Sequence, residues 1–535
     1  MKRLLALLLV AVLLLSGCKP VIQPSPTDPT NPTNPSAPTN PSNPTDPINP
    51  TNPSTPTNPS NPTDPANPDD PSEPPVVDPS QHADGDDNGY CDDCGALLLI
   101  YVDFYSINDL HGKFVDGDSG QIGVDELTTY LKNAREEDDY AFFLSAGDMW
   151  QGGAESNTTK GMIITDWMNA LDFTSMTIGN HEFDWGSEYI KKNAEIAQFP
   201  FLAINIYDRE TNARLECCEA SVVVEAGGLQ IGIIGAIGSH YNSIAADKKE
   251  DVYFKTGSEL TALVKAESTR LQDEGVDFIV YVIHSDEEDY DSTLSSGGFV
   301  DLVFEGHTHQ GYTTKDSYGV YHLQNRGDNA DGISHVEISI NAVTNSYTVQ
   351  EAGQISKSKY SNMADDPIVA ELLKKYESQL SQNYEVLGYN RTYRNSTALR
   401  DIVSKLYYEA GVERWGDQYN IVLGGGSLNA RSPYNLAVGD VTYAQLQSIF
   451  TFDNPLYLCT MKGSDLKARF LNNNDYREYC TLSASQIKDN ETYYVIADSW
   501  DALYAYNKMT VVEMYDPNVF ARDLLADYVR AGGLS

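Results

Sequence analysis

Positive charge and histidine are both scarce in this sequence. Its 535 residues include 36 Lys and Arg against 77 Asp and Glu, for a net charge of −41. Acidity of that size argues against nucleic acid polymers and anionic membrane surfaces as partners. It also means that a phosphate ester can be bound only where metals or a few well-placed Arg overcome a repulsive field. Long apolar runs are missing after the first residues, so no later segment reaches the roughly 20 residues of a membrane span. Proline is nearly absent beyond residue 79, because 21 of the 26 lie between Pro20 and Pro79. Only nine His occur, and His111, His181, His284, His307 and His309 fall in segments of one design: an apolar run that ends in potential metal ligands.

What is present begins with an address. Met1-Lys2-Arg3, the apolar stretch Leu4 to Leu15 and the small-residue site Leu15-Ser16-Gly17-Cys18 read as a secretory signal. Residues 1–17 resemble a bacterial lipoprotein signal peptide, which makes Cys18 the lipidated first residue of the mature chain. Residues 18–80 repeat Asn-Pro-Thr/Ser/Asp, a disordered Pro/Asn/Thr-rich linker with nothing to build a core. The expectation is an exported chain, held by the Cys18 lipid at the outer face of the bacterial cell membrane and projecting through the cell wall layer.

Residues 81–96 form a small acidic element, His82-Ala83-Asp84-Gly85-Asp86-Asp87-Asn88-Gly89-Tyr90-Cys91-Asp92-Asp93-Cys94-Gly95 at its centre. Spaced carboxylates around glycines suit calcium, and one Cys-x-x-Cys supplies half of a structural zinc site. A linker knot closed by a local disulfide is the alternative. The EF-hand is excluded, since the bidentate Glu that ends such a loop is missing. Export permits oxidation, and Cys459 with Cys480 is the candidate bridge, whereas adjacent Cys217 and Cys218 cannot readily bond each other.

Five strand-like runs then end in candidate ligands. Ala96 to Ile107 leads to Asn108-Asp109-Leu110-His111-Gly112, and Tyr140 to Ala146 to Gly147-Asp148. Phe173 to Ile178 leads to Gly179-Asn180-His181-Glu182-Phe183-Asp184, Val276 to Ile283 to His284, and Val300 to Phe304 to Glu305-Gly306-His307-Thr308-His309. Helical patterns over Val124 to Arg135, Thr158 to Leu171 and Gly257 to Glu274 alternate with them, which predicts an α/β sheet with its ligands beyond the carboxyl ends of the strands. A carboxylate bridging two divalent cations can serve phosphoryl chemistry, and mixed imidazole, carboxylate and amide ligation suits Zn, Mn, Mg or Fe.

These ordered motifs resemble the metallophosphoesterase domain of the 5′-nucleotidase family. The resemblance spans about residues 98 to 530. It implies a β-sandwich flanked by helices in the order α-β-β-α over residues 97–360, an interdomain helix within 361–384, and a second α+β substrate-binding domain over 385–535. It further implies that Asp109, His111 and His309 hold one metal ion, that Asn180, His284 and His307 hold another, and that Asp148 bridges them. His181 is then the catalytic residue over the phosphate, with Asp184 orienting its imidazole. Glu182 reads as structural or supporting, and His240, His322 and His335 as structural.

The pocket that the family builds in its second domain is matched in part. Gly424-Gly425-Gly426-Ser427-Leu428-Asn429-Ala430-Arg431 is similar to a glycine run followed by a phosphate-binding Arg, which makes Arg431, with Asn429 and Arg394, candidate substrate contacts. Phe450-Thr451-Phe452-Asp453-Asn454 is similar to the family's Pro-Phe-x-Asn, so Phe452 is a base-stacking candidate and Asn454 a base contact. In Ala497-Asp498-Ser499-Trp500-Asp501-Ala502-Leu503 the family's Gly-Gly-Asp-Gly turn is absent, and Trp500 is the candidate second face of the clamp. The implied activity is release of phosphate from nucleoside 5′-monophosphates. The weaker clamp leaves 2′,3′-cyclic nucleotide phosphodiesterase or UDP-sugar pyrophosphatase as alternatives, and a non-catalytic surface binding lipoprotein is the alternative of another class.

Overall fold

The computed structural model describes residues 81–116, 122–327, 331–428, 435–471 and 477–535. The expected signal peptide and lipidated Cys18, the proline-rich stretch, Asn429 and Arg431 lie outside the described residues.

Two six-stranded sheets make up the first half. One has the order Tyr347–Ser356, Gly332–Asn341, Leu99–Ile107, Ala141–Ser145, Ser175–Thr177, Phe201–Leu202, and the last four of these run parallel. The other has the order Tyr312–Lys315, Tyr321–Gln324, Leu302–Glu305, Phe278–His284, Leu229–Ile237, Ser221–Ala226, with a parallel centre. Successive side chains of a strand point to opposite faces, and the strand Phe278–His284 uses both. Phe278, Val280 and Val282 pack between the sheets with Val102, Phe104 and Ile338. Ile279, Tyr281 and Ile283 pack outward on Leu260, Val264 and Leu271 of the helix Ser258–Glu274. On the far side, Phe143 and Met176 meet Leu127, Leu131, Trp167 and Met168. The layers are therefore helix, sheet, sheet, helix. Burial on both faces explains why these strands read as unbroken apolar runs.

The helical pattern over Thr158 to Leu171 resolves into two helices, Ala154–Thr159 and Met162–Ala170. Lys160 and Gly161 between them both take positive φ, and a Cβ on Gly161 would come within 2.7 Å of the Trp150 ring. Close packing of the indole thus breaks the helix. The interdomain helix expected within 361–384 likewise divides at Tyr376 into Pro367–Lys375 and Glu377–Leu380, the first capped by the Asp366 carboxylate, which accepts from Ile368 N at 2.9 Å.

A five-stranded sheet follows, in the order Arg477–Cys480, Ile421–Gly426, Thr492–Asp498, Leu456–Lys462, Thr510–Met514. The helices Ser396–Trp415 and Ala521–Arg530 cover one face through Leu399, Val403, Leu525 and Val529. This order corrects the expected bridge between Cys459 and Cys480. Two strands separate theirs, which places them about 14 Å apart, and both thiols are free.

The end of the strand Thr492–Asp498 carries a buried acid. Burial, reinforced by the charge of Asp501, pushes the Asp498 carboxyl up from 3.8 to about 7. The native chain therefore holds a proton that the unfolded chain has released, and stability falls as pH rises from about 4 to about 7. Asp498→Asn, neutral at every pH, should remove this component and melt above the wild type beyond pH 7. Thermal melts across that range check it; parallel curves for the two proteins would refute it.

Candidate active site

The loops that carry the candidate ligands converge at the carboxyl ends of the parallel strands. Asp109 and His111 follow Leu99–Ile107, Asp148 follows Ala141–Ser145, Asn180 follows Ser175–Thr177, His284 ends Phe278–His284, and His307 and His309 follow Leu302–Glu305. Five of these residues hold a left-handed backbone: Asp109 (φ 54°), His111 (50°), Asp148 (57°), His307 (79°) and His309 (56°). Such a conformation costs a non-glycine residue on the order of 1 kcal/mol or more and persists where the surroundings enforce it. Here it turns short loops sharply enough to aim several side chains at one point.

Three groups of potential donor atoms lie within 4.8 Å of one another: Asp109, His111 and His309; His111, Asp148 and His181; and Asp148, His284 and His307. Asp148 belongs to two of them, and His111 links the first to the second. His111 Nε2 and His309 Nε2 stand 3.1 Å apart, with His111 Nδ1 3.0 Å from the Gln151 carbonyl. Asp109 Oδ2 accepts from His307 N at 2.8 Å, while its buried Oδ1 has no hydrogen-bond partner among the described residues and lies 3.3 Å from His309 Nε2. Asn180 Oδ1 is 3.0 Å from His284 Nε2 and 2.8 Å from His307 Nδ1. A buried carboxylate oxygen without a proton donor, facing imidazole nitrogens, is the arrangement a cation completes. The donor set of imidazoles, carboxylates and one amide oxygen fits divalent ions.

Electrostatics binds the cluster together. Burial opposes charge on Asp148, yet the imidazoles of His284, His181 and His111 outweigh it and hold the carboxyl well below the usual range. Burial alone would lower His284, but the neighbouring Asp148 carboxylate raises it to about 9. His307 is driven the other way, to about 4, by burial and by repulsion from His284.

Glu182 fastens two of the loops. Its fully buried carboxylate accepts from the amides of Asp148 (2.9 Å), Met149 (2.8 Å), Trp150 (3.3 Å) and Gly179 (2.8 Å). Beside it, His181 N donates to Asp148 Oδ1 at 2.8 Å, and His181 Nδ1 stands 2.9 Å from Asp184 Oδ2.

A cleft of about 250 Å³ opens beside this cluster. Asn180, His181, Asp184 and His307 line one side, and Phe452, Asn454 and Trp500 line the other. The Phe452 ring centroid is 6.0 Å from that of His181. Three of the six second-domain candidates are thus brought to the site. Arg394 is not among the lining residues: its guanidinium donates to the Asn390 side chain and to the Thr392 carbonyl, and its backbone pairs with Leu436.

Some lining residues have no counterpart in the sequence reading. Lys248 brings a cation to the cleft, and Trp185 a second indole. His240, read as structural, stacks on His307 with centroids 3.6 Å apart. A signal for it existed, since His240 also follows an apolar strand, Leu229–Ile237.

Comparison with known proteins agrees with this geometry. A family model described as calcineurin-like phosphoesterase matches residues 103–311, and one described as 5′-nucleotidase, C-terminal domain, matches residues 386–507. An apyrase of Tabanus yao is 33% identical over 223 residues, 39% of this chain and 39% of that one. Protein UshA of Yersinia enterocolitica is 23% identical over 67% of this chain and 74% of its own. The crystal structure of a 5′-nucleotidase precursor from Thermus thermophilus matches the fold with a TM-score of 0.60 at 17% identity, covering 81% of this chain and 96% of that chain.

Fold and site together place the chain in the class of metal-dependent phosphoester hydrolases. Residues 103–311 belong to the calcineurin-like phosphoesterase family, and residues 386–507 form a 5′-nucleotidase C-terminal domain.

Proposed function

We propose that this protein is an exported, lipid-anchored phosphohydrolase that releases phosphate from nucleoside 5′-monophosphates. The observation that carries the reading is the shared cleft, in which Phe452, Asn454 and Trp500 face His181, Asp184 and the ligand-bearing Asn180 and His307. Two aromatic side chains near a phosphoryl site suit a base, because stacking uses the π-face that every nucleobase has.

Asp109, His111 and His309 would hold one divalent ion and Asn180, His284 and His307 another, with Asp148 shared between them. When bound, such a pair polarises phosphoryl oxygens and lowers the pKa of a water at the site. The chain itself supplies the rest. With Nδ1–H donating to Asp184, the His181 imidazole is held in one orientation, and its Nε2 edge would meet the phosphate and the leaving oxygen. A protonated His181 would neutralise charge on the phosphoryl group and pass its proton to the departing ribose oxygen. Lys248 adds a cation in an otherwise acidic molecule.

One observation keeps the alternative substrates in play. Asp501, which stands where the family's ribose-binding turn would be, is fully buried and accepts from Ser427 N (2.6 Å), Ser427 Oγ (2.9 Å) and Arg469 Nη2 (3.1 Å). It faces its own domain, so ribose is left without that carboxylate. The test is phosphate release from AMP, a UDP-sugar, a 2′,3′-cyclic nucleotide and an aryl phosphate by protein supplied with manganese or zinc. Turnover of AMP above the others supports the assignment, and turnover of the aryl phosphate without AMP removes it while sparing the centre.

Trp500→Ala should raise KM for AMP roughly five- to hundredfold, the worth of one stacked base, and leave glycerol phosphate turnover unchanged. An equal loss on both substrates would show that Trp500 supports the fold rather than the base.

A further inference from the structure

The acidic element ahead of the catalytic sheets holds a second set of metal-type ligands. The ring nitrogens of His82 and the sulfurs of Cys91 and Cys94 offer donor atoms within 4.8 Å of one another. Cys94 Sγ lies 3.6 Å from His82 Nδ1, about the separation that two such ligands have on one tetrahedral zinc ion. Backbone bonds set up the arrangement. Gly95 N donates to Cys91 O at 2.8 Å with Gly95 at φ +71°, which closes the Cys-x-x-Cys segment into a tight turn. Asp92 N donates to Ala83 O at 2.7 Å, and Gly85 N to Asp92 Oδ2 at 2.8 Å, so the residue next to His82 is tied to that turn.

Asp84, Asp86 and Asp92 also bring carboxylate oxygens within 4.8 Å of one another, but Asp84 and Asp92 already accept hydrogen bonds within the element, and Asp87 is drawn to a neighbouring turn. Asp84 accepts from Asn88 N (3.0 Å), Gly89 N (2.8 Å) and Asn341 Nδ2 (2.6 Å). Asp87 accepts from Thr344 Oγ1 and Ser346 Oγ, both at 2.7 Å. Both acids pin the element to the turn after the strand Gly332–Asn341. Calcium asks for six or more oxygen ligands, whereas a thiophilic ion needs only the three atoms that already converge, with solvent as a fourth.

We propose that His82, Cys91 and Cys94 form a zinc site, separate from the catalytic centre, that fastens the incoming segment to the sheet. Leu99 begins the strand whose other end leads to Asp109, so this site and the catalytic ligands lie at opposite ends of the first sheet, about 30 Å apart by the rise of nine residues.

Cobalt substitution of the full-length protein tests this. The catalytic ligand set contains no sulfur, so a near-ultraviolet thiolate-to-cobalt charge-transfer band reports a thiolate site rather than the catalytic centre, and replacing Cys91 and Cys94 assigns it. Chelator-stripped, reduced protein titrated with cobalt should develop this band to the intensity of one thiolate-bound cobalt per chain, complete by three equivalents because two go to the catalytic positions, and displaced by zinc. Cys91→Ser/Cys94→Ser should lack it while retaining phosphoester hydrolysis, and His82→Ala should weaken cobalt binding at least tenfold. No band in the wild type, or a band that survives the double replacement, would overturn the proposal. So would isolation of the protein with Cys91 and Cys94 joined as a disulfide.

Discussion

His181→Ala is expected to cut kcat for phosphoester hydrolysis about 10²- to 10⁴-fold while both metal ions stay bound. The range is what a positioned acid–base group contributes. His181 differs from the other imidazoles of the cluster in its partner. His284 faces Asn180 Oδ1 and the Asp148 carboxylate, His307 faces Asn180 Oδ1, and His111 and His309 face each other and Asp109, all within the candidate ligand set, whereas His181 Nδ1 addresses Asp184, a carboxylate outside that set. Its imidazole is also within reach of His111 and Asp148, so a ligand role is the competing assignment. Elemental analysis of the variant separates them. Unchanged metal content with lost turnover supports the acid–base role, and loss of one ion would make His181 a ligand. Asp184→Asn should give a smaller loss and shift the pH profile, since the imidazole would keep its place but lose the carboxylate that favours its charged form.

Glu182→Gln carries the second large effect, and this one falls on stability. The carboxylate receives four amide N–H groups from two loops, so replacing one oxygen with an NH₂ group turns an acceptor into a donor facing donors. Leaving buried amides unpaired and two loops unfastened should cost about 3 kcal/mol. Because those loops carry Asp148 and Asn180, metal affinity should fall with the melting temperature. Burial and the charge of Asp148 push the Glu182 carboxyl up to about 7, while the charge of His284 and the amides of Asp148 and Gly179 favour its anion. Melts and metal titrations of the variant check this together. A variant that melts like the wild type and binds metal as tightly would show that Glu182 is dispensable.

Much of the catalytic half was legible because its chemistry sits at strand ends. Strands buried on both faces appear as apolar runs, and the residue after the run is the one the sheet presents. Asp109, Asp148, Asn180, His284 and His307 stand out in the sequence for that reason, and the structure brings them to one cluster. His240 obeys the same rule after Leu229–Ile237 and was still passed over, because no ordered motif surrounds it. Strand order was not legible, and for that reason Cys459 and Cys480 looked pairable although two strands lie between them. The break at Gly161 depends on an indole from another segment, which local helical spacing does not reveal. Arg394 shows a further limit: position along the chain gave a plausible phosphate ligand, while the direction of the guanidinium follows from Asn390 and the Thr392 carbonyl. Phe452 and Trp500 reach one cleft through the packing of the second domain on the first, which no spacing encodes.

The most direct test is phosphate release from AMP by stripped protein as divalent ion is added back stepwise. The account predicts negligible turnover without metal, a rise that is complete only when both catalytic positions are filled, and loss of that rise in Asp148→Ala. No phosphate at any loading, or full turnover with the Asp148 carboxylate removed, would contradict it.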